Sequence, residues 1–412
     1  MPRRFVHAAD LHLDSPFAGV GALRDGLDER LRDASLEVWD RLVALCLDED
    51  AAFLLIAGDL FDSDARSPRA ERRVRTGLER LAEAGIPTFI VHGNHDPLGR
   101  GVSYGGVQGV TVFRAGRPQT ATLDADGAPV AIHGVSFGRQ AETDNLAALF
   151  ARGDAPGLHI GVLHCMVGGA AGHDDYAPCT LDDLRRAGMD YWALGHVHEP
   201  QELASDPPVV YAGTTQGRSP RPGDRGPRGA WVVEFDGARI GERRHVVLDE
   251  FRFALADVPI AGLTELADLE RALEGAADAA LAEADGRLVI LRARLTGRGP
   301  LHPALGVDAC ESLRQALDDD APPALIWERI EDATALDIDL DAIRREETAI
   351  GDVARMADEI AASPGLAALL AEWEGELPDR AARGIAAVDP AGRVAAARDR
   401  ALGILLDDGV DE

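Results

Sequence analysis

Short apolar runs that stop abruptly on polar residues recur along the first half of the chain: "RFVHAAD" (4–10), "AAFLLIAGD" (51–59), "PTFIVHGN" (87–94), "LHIGVLHC" (158–165) and "DYWALGH" (190–196). Runs this short and this apolar predict strands buried on both faces. Between them the period changes. "SLEVWDRLVALC" places Leu36, Trp39, Leu42 and Cys46 on one helical stripe. "SPRAERRVRTGLERLAEAG" opens with Ser67 as N-cap and Pro68 in the first turn, turns Val74, Leu78 and Leu81 inward, and stops at Gly85. Strands alternating with helices predict an α/β domain.

After "YAGTTQG" and the strand "GAWVVEF" (229–235) the pattern changes. A strand "EFRFALADV", a long helical run from Leu263 to about Ala284, the strand "RLVILRARL", a helix "ACESLRQAL" and a strand "ALIWERIED" predict a small α+β domain over 245–340. Residues 341–412 read as helices only, with Val353, Met356 and Ile360 on one stripe and Leu366, Leu369, Leu370 and Trp373 on another. Stripes this weak need a neighbour or a partner chain to pack on. The expected division is therefore 1–244, 245–340 and 341–412.

Composition narrows the class. At 412 residues and 46% apolar, the chain is long enough for two or three globular domains. Its first residues do not form a signal peptide, and no uninterrupted apolar run approaches a membrane span, so the expected compartment is the cytoplasm, with no membrane partner. Cys46, Cys165, Cys179 and Cys310 lie far apart without a CxxC pair, as reduced, buried thiols. The net charge of −29 argues against a nucleic-acid partner, but its distribution qualifies that: there is no lysine, and every fixed cation is arginine. The segment "RSPRPGDRGPRG" (218–229) sets Arg218, Arg221, Arg225 and Arg228 against Asp224. It is either a solvated loop or a phosphate-contacting one.

Each predicted strand of the first domain ends on residues that bind metals. Asp10 and His12 follow the first, Asp59 and Asp62 the second, and Asn94, His95 and Asp96 the third; His164 ends the fourth, and His196 and His198 follow the fifth. In an α/β sheet such groups converge at the carboxyl ends of the strands. Carboxylate, imidazole and amide oxygen without thiolate favour Mn²⁺, Fe²⁺ or Zn²⁺. The donors are too many for one ion, and a pair of ions is the usual clamp for in-line displacement at phosphorus. His7, His92, His133, His159 and His302 are expected to be structural.

In order, these residues spell DxH, GDxxD, GNHD, a single H and GHxH, and here the chain resembles the calcineurin-like metallophosphoesterases. The resemblance implies a four-layer α-β-β-α sandwich with mixed sheets, followed by a small α+β capping domain and a C-terminal helical region. It implies Asp10, His12, Asp59 and His198 around one divalent metal, and Asp59 (bridging), Asn94, His164 and His196 around the other, with Mn²⁺ expected and Fe²⁺ or Zn²⁺ as alternatives. His95 is then the acid that protonates the leaving oxygen, oriented by Asp96 or Asp62.

The second motif runs on as Ser63 and Asp64 and the third ends in Asp96, which disfavours the protein serine/threonine phosphatases of the superfamily. The stretches "HAADLHLDSPF", "GDLFDS", "HDDYAPCTLDDL" (173–184) and "YAGTTQGR" (211–218) resemble the bacterial SbcD-type DNA repair exonucleases. That resemblance implies DNA as substrate, with Arg218, Gln216 and His173 on the substrate side. Its implied partners are an SbcC-type coiled-coil ATPase docked on the last helices and a second copy of the chain. A phosphodiesterase for nucleotides or other small phosphoesters, and a mainly structural subunit of an ATPase complex, are the alternatives.

Overall fold

The computed structural model describes residues 2–15, 27–62, 67–99, 104, 106–169, 176–368, 370 and 389–407. His173, Leu369 and Trp373 lie outside the described residues. The five predicted strands all form, as β1 (Arg3–Ala8), β2 (Leu54–Ala57), β3 (Thr88–Val91), β7 (Leu158–His164) and β8 (Tyr191–Gly195). They do not share one sheet. β1, β2 and β3 lie side by side in parallel and are joined by β4 (Val110–Val112), β11 (Gly229–Asp236) and β12 (Arg239–Val247), in the order β12-β11-β1-β2-β3-β4. β7 and β8 belong to a second six-stranded sheet with β5 (Gln119–Asp124), β6 (Pro129–Gly134), β9 (Gln201–Ser205) and β10 (Pro208–Tyr211), ordered β5-β6-β7-β8-β10-β9. Antiparallel outer strands make both sheets mixed.

The period-2 alternation of strand side chains explains why these runs are apolar throughout. In β1 and β2, Phe5, Leu55 and Ala57 face the second sheet, where they meet Ile132, Ile160 and Tyr191. Their alternates Val6, Leu54 and Ile56 face outward, under Trp39 and Leu42 of α1 (Leu27–Asp48) and Val74 and Leu78 of α2 (Pro68–Glu83). The second sheet is covered on its own outer face, where Leu163 and Leu194 pack with Leu184 of α3 (Leu181–Arg186). The result is four layers, helix, sheet, sheet, helix. Phe5 stacks on Phe53 at 4.9 Å and meets Tyr191 edge-on at 5.3 Å. Fully burying one such side chain contributes about 1.5–3 kcal/mol. Ser67 caps α2 as its sequence predicts, its hydroxyl accepting from the Ala70 N–H at 3.2 Å.

Two compact units divide the described chain. The first takes in residues 1–254, 280–291 and 321–328, and the second residues 255–279, 292–320 and 329–412. After β12 come β13 (Phe251–Pro259), α4 (Leu266–Glu283), β14 (Leu288–Arg298), α5 (Val307–Asp319) and β15 (Leu325–Ala335), with the strands ordered β13-β14-β15. Helices α6 (Leu340–Arg345), α7 (Ala349–Ala361) and α8 (Pro390–Asp407) then make the C-terminal region helical. Arg344 of α6 holds Asp358 of α7 through bonds of 2.6 and 3.1 Å. α7 buries Gly351, Ala354 and Ala357, which turns Met356 and Ile360 outward, 55% and 42% exposed. Among the described residues no helix is long and apolar enough to cross a membrane.

Candidate metal centre

The carboxyl ends of β1, β2, β3, β7 and β8 deliver their polar residues to one place. Asp10, His12, Asp59 and His196 all have positive φ, at 50°, 42°, 51° and 101°. Non-glycine residues avoid this region, and four of them together mark a place where the backbone is held against its preference. The glycines of the motifs answer a steric demand. A Cβ on Gly93 would lie 2.3 Å from Asp59 Oδ1 and 2.8 Å from the His164 ring, and one on Gly58 2.3 Å from His164 Nδ1. Gly93 itself is not left-handed. Close approach, rather than a sharp turn, is what requires it.

Donor atoms of Asp10, His12 and His198 lie within 4.8 Å of one another, as do those of Asp10, Asp59 and His164, and of His12, Asp62 and His95. Asp59 Oδ2 stands 3.9 Å from His12 Nε2 and 3.4 Å from His164 Nε2, between the first two groups. Asn94 Oδ1 is 2.9 Å from His164 Nε2, and the His196 ring is 5.2 Å from the His164 ring. The His196 backbone N–H donates to both oxygens of Asp10.

The electrostatics follow from burial against partners. Burial pushes Asp10 up to about 6, against the pull of His164 and His198. Burial also works upward on Asp59, but His164 and His12 outweigh it and hold this carboxyl well below the usual range. On His164 burial acts downward, and Asp59 and Asp10 overcome it, raising the ring to about 9. Desolvation, with Arg218 adding to it, takes His12 down to about 3. Neutral His12 donates from Nδ1 to Asp62 Oδ1 at 2.8 Å, which leaves the Nε2 lone pair facing the cluster. That Nε2 is buried and has no hydrogen-bond partner.

Such a set fits divalent metal. Two buried carboxylates, an orphaned imidazole lone pair, a neutral amide oxygen and further histidines form a mixed O/N donor set that a cation satisfies and that is costly without one.

Asp62 is the hub of the open side. It accepts from His12, from His95 Nδ1 at 2.7 Å, from Arg218 Nη1 at 3.0 Å and from the Ser15 hydroxyl. Burial disfavours its charge, yet the hydrogen bonds from His12 and His95 prevail and hold its carboxyl far below the ordinary range. In turn burial lowers His95 less than Asp62 and Asp59 raise it, so this ring is more basic than a free histidine. Asp96 is placed differently. Its oxygens accept from the Leu60 N–H (3.0 Å) and the Gly93 N–H (2.8 Å), and His92 Nδ1 lies 3.2 Å away. It ties the loop after β3 to the loop after β2, and His92 serves as its partner.

The basic loop 218–229 is not simply solvated. Asp224, its one acid, is buried and accepts from His198 Nδ1 at 2.8 Å and from Ser219 Oγ at 2.6 Å. A histidine so held presents its Nε2 in a fixed direction. Composition hid this residue, because one aspartate among four arginines reads as a minority charge. Arg228 is also buried, donating to the carbonyls of Gly223 (2.7 Å) and Pro227 (3.3 Å). Gln216 is fully buried: Nε2 donates to the carbonyls of Gly217 and Phe251, and Oε1 accepts from the Glu250 N–H. Its amide is spent on the backbone. Arg218 stands at the cluster through Asp62.

Residues 3–200 match the calcineurin-like phosphoesterase family, and residues 253–335 match the middle domain of metallophosphoesterase YhaO. The chain is similar to the uncharacterized metallophosphoesterase YhaO of Bacillus subtilis (strain 168), at 39% identity over 60% of this chain and 61% of that one. It is also similar to the DNA double-strand break repair protein Mre11 of Thermoplasma acidophilum, 28% identical over 52% of this chain and 56% of that one. Mre11 of Haloferax volcanii is 30% identical over 63% of this chain and 55% of that one. The chain thus spans less than two thirds of the length of these relatives. Among solved structures, TT1561 of Thermus thermophilus overlaps 60% of this chain and all of its own at 12% identity, with a TM-score of 0.36.

Proposed function

The chain belongs to the calcineurin-like metallophosphoesterase family, and on that premise we propose that it hydrolyses phosphodiester bonds of DNA, as an exonuclease in repair or end processing. The observation that carries this reading is His95. Next to a buried ligand cluster its side chain is 43% exposed, and its Nδ1 is tied to Asp62. A general acid needs this arrangement, with the ring oriented from behind and within reach of a leaving group.

Asp10, His12, Asp59 and His198 would hold one ion and Asp59, Asn94, His164 and His196 a second, with Mn²⁺ the expected metal and Fe²⁺ or Zn²⁺ the alternatives. When bound, such ions supply Lewis-acid stabilisation of charge at phosphorus. The protein's own residues do the rest. Asp62 holds His95 through Nδ1, and its pull, with that of Asp59, favours a proton on the ring for donation from Nε2 to the departing sugar oxygen. Arg218, braced by the same carboxylate, offers its guanidinium to a phosphate oxygen. Asp96 holds the two loops in register instead of orienting His95.

DNA as substrate is favoured by relatives that carry the name DNA double-strand break repair protein. The exposed Met356 and Ile360 of α7 favour docking of a coiled-coil ATPase on the C-terminal helices, with 245–340 as a capping domain. The free, buried cysteines accord with a cytoplasmic location.

His95→Ala is expected to lower turnover of end-labelled linear DNA in Mn²⁺ by about 10²–10⁴-fold while metal content, measured by plasma emission, stays at the wild-type level. Wild-type nuclease activity in that variant would overturn the acid role. Activity on small phosphodiesters alone, with linear and closed circular DNA untouched, would overturn the substrate.

A further inference from the structure

A groove of about 310 Å³ opens on α2, and it shares no residue with the metal centre. Of its seven lining residues four are arginines, Arg69, Arg72, Arg73 and Arg80, and one, Asp40, is acidic. We propose that this groove binds phosphate groups, supplied by a nucleic-acid strand that runs along α2 from the metal centre.

The residues on α2 make a single row. Arg69, Arg73, Thr76 and Arg80 recur every three or four positions and so lie above one another on a helix. The row extends about 16 Å from its first to its last arginine at 1.5 Å per residue. Two of the guanidiniums are held in place by α1. Asp33 takes Arg69 through bonds of 2.8 and 3.0 Å, and Asp40 takes Arg73 through bonds of 3.0 and 2.6 Å.

Arg72 and Arg80 pair with no carboxylate among the described residues, and both are exposed. The chain carries 71 acidic residues against 42 basic ones, so acids to neutralise them are plentiful elsewhere on this molecule. Two unpaired arginines beside two braced ones give the groove a local positive charge on an acidic protein. Such forks match phosphate oxygens.

The Trp39 side chain is fully buried, and its indole N–H has no acceptor. It lies against Gly77, where a Cβ would come within 2.5 Å of that nitrogen. Gly77 and the Thr76 hydroxyl line the groove above that ring.

The groove is also well placed. α2 begins six residues after Asp62, and the Ser67 N–H is held by Asp14 Oδ2 at 2.9 Å, two residues beyond His12. Its Arg69 end is thus the end nearer the metal centre. A strand with one phosphate at that centre would continue over the arginine row. The nucleic-acid source of the phosphate rests on the function proposed above.

The experiment uses the full chain in EDTA, so that no hydrolysis occurs, with a labelled single-stranded oligonucleotide followed by anisotropy over a salt series and inorganic phosphate followed by calorimetry. Arg72→Glu/Arg80→Glu is expected to weaken oligonucleotide binding about tenfold, to reduce the slope of log K against log salt by about 1.4, and to abolish phosphate binding. Unchanged affinity and slope in the double variant, with the wild type binding the oligonucleotide, would overturn the groove and leave the nuclease reading standing. Phosphate bound by the wild type and lost in the variant, with no oligonucleotide bound by either, would make the groove a site for free phosphate and overturn its nucleic-acid occupant, an outcome distinct from failure of the nuclease reading, which turnover of linear DNA in Mn²⁺ reads.

Discussion

At the scale of single residues, the carboxylates of the site divide into those that face the centre and those that hold other groups. Asp62 serves His12, His95 and Arg218 at once, whereas Asp96, next to His95 in sequence, turns away to backbone N–H groups. Neighbourhood along the chain is thus a poor guide to partnership here, because each residue in a loop points its side chain in a new direction. Asp224 extends the same point to the basic loop. Asp224→Ala is expected to lower metal affinity by about 10–100-fold, while Asp224→Asn, whose amide oxygen can still accept from His198 Nδ1, should recover part of it. Competitive metal titration against a chelating dye measures both, and equal affinity in the alanine variant would remove Asp224 from the site.

At the scale of elements, the centre depends on how closely the ends of β2, β3 and β7 approach. Gly58 and Gly93 lie against the His164 ring, and Gly93 also against Asp59. Gly93→Ala forces a methyl group into space those side chains occupy, and overpacking of this kind costs about 1–3 kcal/mol. The expected result is a lower melting temperature in EDTA together with weaker metal binding. A stabilised protein with normal metal content would show that the loop can yield. α2 links this scale to the next. Its inward face was legible from Val74, Leu78 and Leu81, all of which are buried. Its outward row of arginines was legible only as charge, because the aspartates that brace it come from α1.

At the scale of the whole molecule, the net charge of −29 coexists with local positive charge at Arg218 and along α2. Charge summed over a chain governs solubility, and its local arrangement governs what a surface binds. Histidines held below their ordinary value add to the acid sensitivity of this protein. Burial takes His7 down to about 3, and burial together with neighbouring charge takes His133 and His245 down to about 4. At these three positions the unfolded chain binds more protons than the folded one below about 6.5, so the stability they contribute is complete above that pH and is lost as pH falls towards 3. Denaturant titrations in EDTA should show this decline, and His7→Phe should reduce its slope by up to about 1.4 kcal/mol per pH unit, one proton's worth. An unchanged slope would mean that His7 titrates normally in the folded protein.

Much of this protein was determined by its sequence alone. The five strands, helices α1 and α2, and the ordered set of Asp, Asn and His that converge on one centre follow from local periodicity and from glycine and polar residues at strand ends, which are properties of neighbours along the chain. Distribution of those strands between two sheets depended on pairings across the fold, among them β1 with β11 and β7 with β8, and on strands such as β5 and β9 whose half-exposed patterns carry no strong signal. Tertiary structure alone also decided that His95 belongs with Asp62, that Asp224 stands behind His198, that His92 serves Asp96, and that Gln216 turns inward to backbone. Each of these is a contact between side chains whose directions are set by the packing of separate elements, and no spacing in the sequence encodes it.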